Sequence, residues 1–315
     1  MKQRVAIVGA GVSGLTSAVL FAEAGCETAI FADEIGDETN SAAAAAMWYP
    51  YDVGTGAQII PWALASYERF VELARQPETG VSITELRVFS RLGPITPPDW
   101  ARSFATHPIA DSEIPSAFVS GFSIHVPLIE TGKYLTYLTS RLTSGGGSLA
   151  GGMRFDRIED VNSNFSVIIN CAGIGARELV PDPEMEPHRG QVAIVQKFDL
   201  PYAVVCDDPP LMYAIPRSSD CVIGGTNEVS NDRTTDPRTT AQIVQECERV
   251  LGQPAPPLIR ERVGLRPGRS TGVRVEMEKL RDGRTVIHNY GHGGSGFTLS
   301  WGCAETALSY VSSIA

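Results

Sequence analysis

No Cys-x-x-Cys pair occurs in the 315 residues. The six cysteines, Cys26, Cys171, Cys206, Cys221, Cys247 and Cys303, stand apart in apolar or helical stretches, so buried free thiols are expected rather than a disulfide framework. The five histidines show no ligand spacing with them, which argues against zinc or any other metal site. No apolar run approaches a membrane span, and there is no internal repeat or low-complexity tail. A strand pattern starts at Arg4 and leaves no room for a signal peptide, and the ending Val311 to Ala315 is no peroxisomal address; a soluble cytoplasmic protein is the default expectation. Positive charge is scarce, with 26 Lys plus Arg against 36 Asp plus Glu, a net charge of −10. Such a surface repels nucleic acid and anionic membranes, so neither is an expected partner, and an anionic ligand must be held by local donors.

What is present is ordinary globular composition, 43% hydrophobic and 20% charged, in a chain longer than one compact core. Two domains, or one large α/β domain with an insertion, are the natural readings. Residues 4–10 read as a buried strand, 11–25 as a helix with an apolar face (Leu15, Ala18, Val19, Ala22), and 27–33 as a second strand. This strand–turn–helix–strand unit belongs in a parallel, doubly wound α/β sheet. The alanine-rich run 41–47 predicts a helix with Ser41 as its N-cap, closed by Pro50. A helix is expected over 57–75, a proline-rich surface excursion over 93–116, several strands between 191 and 226, and a last helix over 297–312.

Gly9, Gly11 and Gly14 form G-x-G-x-x-G after a strand and at the start of a helix. In that context Gly9 permits the tight turn, Gly11 lets the backbone approach a pyrophosphate, and Gly14 allows helix and strand to pack closely. The helix start, with Val12 and Ser13, offers N–H groups and a positive dipole end to the phosphates. Asp33, at the end of the second strand, stands where an acid grips a ribose hydroxyl. The alternative is a purely structural glycine turn, and the motif does not distinguish one dinucleotide from another. A second glycine-rich loop (Gly291, Gly293, Gly294, Gly296) lies between a strand and a helix beginning at Phe297 and Thr298. Backbone there can approach a flat ligand, and the helix start would stabilise developing negative charge by roughly 0.3–2 kcal/mol. A plain glycine loop is the alternative.

From Val286 to Ala304 the chain resembles the D-amino-acid oxidase family, matching its signature at every constrained position: two aliphatics, His288, Asn289, Tyr290, Gly291, then Gly293, Gly294, Gly296, Gly302 and Ala304. His292 and Ser295 occupy free positions. The likeness extends to the N-terminal fingerprint, the alanine-rich segment before Trp48, Cys171-Ala172-Gly173, Arg189-Gly190-Gln191, Tyr213-Ala214-Ile215-Pro216 and Gly264-Leu265-Arg266-Pro267. The resemblance implies FAD as cofactor. It also implies a Rossmann-like FAD-binding domain (1–55, 126–182 and 284–315) interleaved with an α+β substrate domain (56–125 and 183–283) on a mostly antiparallel sheet. By the same resemblance the cofactor is held by the fingerprint residues with Asp33, by Asn40, Ser41, Ala45, Ala46 and Met47, by Ile158, Cys171 and Gly173, by Arg266, and by Gly291 with Gly293 to Thr298.

For the substrate, two arginines at 266 and 269 stand out in an acidic protein, and an Arg fork holds a carboxylate bidentately. The alternative, a surface ion pair, suits Arg269 or Arg274 better. The resemblance makes Arg266 the fork, adds the hydroxyl of Tyr213, and makes the carbonyl of Gly294 the acceptor for the substrate amine. Trp48, Tyr49, Met212, Asn227 and Ser295 would complete the pocket, though Trp48, Met212 and Tyr213 could equally be core residues. Two departures matter. Residues 206–212 are shorter than the family's vertebrate lid and lack its tyrosine, and Asn227 stands where D-aspartate oxidases carry a second arginine. Arg217 or Arg269 would have to substitute for it.

The implied reaction is oxidative deamination of neutral D-amino acids by hydride transfer from Cα to flavin N5. It yields imino and then keto acid with ammonia, and dioxygen is reduced to hydrogen peroxide. No side-chain base is required, and His288 and His292 are expected to be structural. A homodimer stays open. Rival readings are a related flavin amine oxidase acting on glycine, sarcosine or another small imino acid, a nicotinamide-dependent dehydrogenase, and a non-catalytic flavin sensor.

Overall fold

The structure is a computed structural model and describes residues 2–51, 54 and 56–312. In chain order the N-terminal elements are β1 (Arg4–Val8), α1 (Val12–Glu23), β2 (Glu27–Phe31), α2 (Asn40–Ala43), α3 (Ile59–Leu73), β3 (Val81–Ser90), β4 (His107–Pro108) and β5 (Ser120–Ile129). The middle holds α4 (Thr131–Ser144), β6 (Ser148–Ala150), β7 (Val167–Asn170), α5 (Ala176–Leu179), β8 (Met185–Gln196) and β9 (Ala203–Cys206). Then come β10 (Met212–Pro216), β11 (Asp220–Gly224), β12 (Glu228–Val229), α6 (Pro237–Leu251), β13 (Leu258–Arg269), β14 (Arg274–Lys279), β15 (Thr285–Tyr290) and α7 (Gly296–Ser312). Among the described residues, no helix is long and apolar enough to cross a membrane.

The chain divides into two compact units. The first comprises Met1–Val81, Ile129–Pro187 and Arg266–Ala315. Its six strands run β14-β15-β7-β1-β2-β6. All neighbours are parallel except β14, which is antiparallel to β15. Val5, Ala6 and Ile7 are fully buried, as expected of a central strand covered on both faces. The expected first domain comprised 1–55, 126–182 and 284–315, whereas in the structure the first segment runs to 81 and the last begins at 266. The first shift arises because α3 packs on α7: a Cβ at Gly302 would stand 2.4 Å from the Trp62 backbone. Trp62 also donates to Thr306 at 2.8 Å, and Ser66 Oγ receives the N–H groups of Trp301 and Gly302. The second shift arises because residues 267–270 bond into this unit, through Gly293 N–H to Pro267 O and Ser270 N–H to Glu184 O.

The alanine-rich run forms a helix of only four residues, Asn40–Ala43, and its N-cap is Thr39, whose hydroxyl accepts from Ala42 N–H. Ser41 is therefore not the cap expected for it. Beyond Ala43 the backbone is extended, and Ala46 takes a φ of +51°. The run fails to propagate because its backbone groups bond elsewhere: Ala46 O accepts from Ile129 N–H. Helix propensity is weak beside such tertiary bonds.

The second unit comprises Ser82–Leu128 and His188–Leu265. Its nine-stranded sheet runs β12-β8-β11-β10-β9-β3-β5-β4, with β13 also pairing β8. The run from β12 to β9 is antiparallel throughout, and β3 joins β9 in parallel. Helix α6 covers the sheet, burying Ile243, Cys247 and Val250 against Val195, Met212 and Ile223. Asp236 caps its N-terminus, Pro237 opens it, and Gly252 closes it in the left-handed conformation.

Candidate active site

The first unit brings its two glycine-rich segments together. Gly9 has a φ of +109°, and a Cβ there would stand 2.3 Å from Cys171 O; one at Gly14 would stand 1.9 Å from Gly9 O. The turn is pinned by Gly9 N–H to Phe31 O and Cys171 N–H to Val8 O, both at 2.9 Å. Helix α1 starts with Gly11 as N-cap and no acidic residue in its first turn. Ser41 Oγ accepts from Val12 N–H at 2.9 Å, so this serine caps α1 from 29 residues away. An N-terminus with neither a side chain at its N-cap nor an acid nearby is a seat for an anion. At the end of β7, Gly173 has a φ of +57° and open space where a Cβ would project. The carboxylate of Asp33, two residues past β2, is 58% exposed and lies 3.5 Å from Arg154, which leaves it able to accept from hydroxyls.

Gly291 and Gly293 take φ values of +83° and +53°, which turn the chain from β15 into α7. A Cβ at Gly296 would meet Val12 Cγ1 at 3.6 Å, so the starts of α1 and α7 lie side by side. Ser295 Oγ accepts from Tyr51 N–H at 2.8 Å and donates to Tyr51 O at 2.6 Å. Thr298 Oγ1 accepts from Tyr49 N–H at 3.1 Å and donates to Tyr49 O at 3.0 Å. Both hydroxyls thus clamp the backbone of residues 49–51 and are spent there. A Cβ at Gly294 would meet Tyr51 Cδ1 at 2.6 Å, and the guanidinium of Arg266 lies 5.9 Å from the centre of the same ring. Arg266, Tyr51 and Gly294 therefore share one corner of the unit. Tyr51 was not among the site residues expected from sequence; its position after Pro50 in an aromatic run was the available signal.

Beneath this corner runs a buried polar chain. Asn289 Nδ2 donates to Ser17 Oγ at 3.2 Å, so its Oδ1 accepts from His292 Nε2 at 3.0 Å. His292 Nδ1 then faces Ser13 Oγ at 3.5 Å, and Ser17 Oγ reaches Cys171 Sγ at 3.8 Å. Burial pushes His292 down to about 4 and the Cys171 thiol up to about 12, so both stay neutral near pH 7. His288 is equally buried, between Asn170 and Glu278. Arg269 bonds Asp182 at 2.9 Å, and Asp182 also accepts from Tyr290 at 2.8 Å. Burial alone would raise this carboxyl, but those two hydrogen bonds hold it below the usual range. Arg274 pairs with Glu276 and Glu278. Arg269 and Arg274 are thus both in ion pairs, but Asp182 is buried, so the Arg269 pair is not the surface pair expected.

Other expected residues fall differently. Trp48 is fully buried, donates to Ala63 O at 2.8 Å and packs on Tyr67, which is a core role. Ile158 is buried with Val8, Val161 and Phe165. Ala46, Met47 and Phe297 are also buried, and Ala45 and Asn40 half-buried. In the second unit Met212 is fully buried in the core, Asn227 is exposed, and Arg217 pairs with Asp220 at 2.6 Å. The short 206–212 segment is strapped down: Asp208 accepts from Ser90 Oγ at 2.8 Å and Arg91 N–H at 2.7 Å, and Arg91 pairs with Glu246 at 2.7 Å.

Within the first unit the donor set fits FAD: an uncharged helix start beside a glycine turn, an exposed acid after β2, and a second helix start behind a glycine loop. A family model described as FAD dependent oxidoreductase matches residues 4–309. The D-amino-acid oxidase of Rubrobacter xylanophilus is 38% identical over 314 residues, covering 96% of this chain and 94% of its own length. That of Streptomyces coelicolor is 36% identical over 314 residues, covering 98% and 96%. Among solved structures, glycine oxidase from Geobacillus kaustophilus superposes with a TM-score of 0.83 at 18% identity, over 99% of this chain and 95% of its own; at that identity the likeness concerns the fold. With the match spanning both units and the glycine segments poised as a dinucleotide requires, the chain belongs to the FAD-dependent oxidoreductase family.

Proposed function

We propose that this flavoenzyme is a D-amino-acid oxidase that deaminates neutral D-amino acids at the expense of dioxygen. The observation that carries the reading is the near full-length identity to two D-amino-acid oxidases. The chemistry FAD would supply when bound is acceptance of a hydride from the substrate Cα and reoxidation by dioxygen to hydrogen peroxide. The chain's own task is to bind and orient. Arg266 holds the substrate carboxylate as a bidentate fork, while Arg269 and Arg274 serve Asp182, Glu276 and Glu278. The carbonyl of Gly294 orients the amine, which reacts in its neutral form so that its lone pair assists. No side-chain base is needed, and His292 is sealed in its own network. For Tyr213 the resemblance implies a hydroxyl contact to the substrate carboxylate. The imino acid then hydrolyses to keto acid and ammonia.

Neutral side chains are favoured because Asn227 brings no charge and Arg217 is committed to Asp220. Six free cysteines, five of them buried, suit a reducing compartment such as the cytoplasm. The test is peroxide release over paired D- and L-amino acids, with glycine and sarcosine included. D-selective turnover of neutral substrates is expected, and equal rates for both enantiomers, or turnover of L-forms alone, would refute the proposal. Arg266→Lys, which loses the fork, should raise KM by the equivalent of roughly 2–5 kcal/mol. An unchanged KM would remove Arg266 from the role.

A further inference from the structure

Tyr213 on β10 and Gly224 on β11 are direct cross-strand partners. A Cβ at Gly224 would stand 2.1 Å from Tyr213 Cζ and 2.4 Å from its Cε2 and hydroxyl. One at Gly225 would stand 2.7 Å from the hydroxyl and 3.0 Å from Cε1 and Cζ. The phenol therefore lies across the backbone of both glycines. Neither glycine has a positive φ, and what a side chain at either position would meet is the Tyr213 ring and hydroxyl. The backbone beneath the ring has little room to retreat. Gly224 is in register with Val192 of β8, Gly225 N–H bonds Leu211 O at 3.3 Å, and Thr226 Oγ1 accepts from Gln191 N–H at 2.9 Å. On the other side, the segment leading into β10 is strapped through Asp208 to Ser90 and Arg91.

We propose that Gly224 and Gly225 are positioning residues: their missing side chains form the floor that fixes the Tyr213 ring and so sets where its hydroxyl stands. The inference rests on the reading that this hydroxyl meets the substrate carboxylate. A ring covering a cross-strand glycine can also serve sheet stability alone, so the test must separate the two roles. Gly225 is the position to probe, because its Cβ would stand 2.7 Å from the hydroxyl and no closer than 3.0 Å to a ring carbon, whereas at Gly224 it would stand 2.1 Å from the ring.

The experiment compares Gly225→Ala in the wild-type and Tyr213→Phe backgrounds, as holoenzymes with D-alanine, reading KM and kcat separately. In the wild-type background KM should rise about five- to tenfold with kcat nearly unchanged, the mark of a lost binding contact. In the Phe background, where no hydroxyl remains to be displaced, the same change should add less than about twofold. Equal rises in both backgrounds, or no rise in the wild type, overturn the proposal while leaving the Tyr213 reading intact. An unaltered KM in Tyr213→Phe alone overturns that reading, and the positioning role with it. Melting temperatures supply a measurement independent of turnover. Gly224→Ala should lower the melting temperature, and adding Tyr213→Ala should recover part of the loss; no recovery shows that the ring is not what collides, and overturns the proposal.

Discussion

Two pairs of glycines exclude side chains here, and they do so against different obstacles. At Gly9 and Gly14 the missing Cβ would strike backbone, Cys171 O at 2.3 Å and Gly9 O at 1.9 Å. At Gly224 and Gly225 it would strike the ring and hydroxyl of Tyr213. Backbone in a pinned turn cannot yield without breaking the hydrogen bonds that hold it, whereas a side chain can swing. On the proposed reading the first pair guards the fold and the cofactor seat, and the second tunes the place of one functional group. Tight packing makes both intolerant, but only the first is rigid.

The sharpest way to break this contrast is Gly14→Ala. The added carbon must displace the Gly9 carbonyl, and overpacking of this kind should cost about 3 kcal/mol. Purified protein should be colourless near 450 nm and unfold at lower denaturant. A yellow, stable Gly14→Ala protein would show that the turn can relax, and the distinction between rigid and adjustable glycines would fail.

The next effect asks whether the rigid region depends on backbone alone. His292 sits at a free position of the family signature, yet it joins Asn289 and Ser17 to Ser13 at the start of α1. Its folded value of about 4 lies below the 6.5 of an unfolded histidine. As pH falls the unfolded chain takes up the proton first, so the stability present above pH 6.5 is lost progressively and the loss levels off below about 4. That interval corresponds to about 3 kcal/mol. His292→Gln keeps a donor for Asn289 and removes the titration. Denaturant midpoints should fall less between pH 7 and 4.5 for the variant than for the wild type. Parallel curves would mean that His292 is not sealed from water.

The same contrast explains how much could be read from sequence. The turn at 9–14 was legible because backbone obstacles recur at fixed spacing between strand and helix. The loop at 291–296 was legible through a spaced signature; ion pairs of Arg269 and Arg274 were expected at the surface, whereas Arg269 pairs with Asp182, a buried carboxylate that needs such a partner. The floor under Tyr213 was not legible, because Tyr213 and Gly224 meet through hairpin register, and nothing in either segment announces the other. Tyr51 escaped for a similar reason: Ser295 and Thr298 bring it beside Arg266 across more than two hundred residues of chain. The alanine-rich run misled because intrinsic propensity predicted a helix where the backbone is extended at Ala44 and left-handed at Ala46, whose carbonyl accepts from Ile129 N–H.

Ser41 gives the smallest effect and the finest discrimination. Its hydroxyl accepts from Val12 N–H in the first turn of α1, and it comes from a segment that propensity alone would have made into a helix of its own. A cap supplied from a distance should be worth what a local one is, about 1 kcal/mol, since the N–H it satisfies is the same. Thr39 caps α2, which is only four residues long, through the same kind of bond. Ser41→Ala and Thr39→Ala should therefore destabilise the apoprotein similarly, by about 1 kcal/mol each. Only Ser41→Ala should also weaken FAD, by about fivefold in dissociation constant, because it alone unsettles the N–H groups that would face the phosphates on the proposed reading. If both variants weaken FAD equally, the seat depends on the whole 39–47 segment rather than on the serine, and the boundary of the rigid region moves outward from the glycine turn to include it.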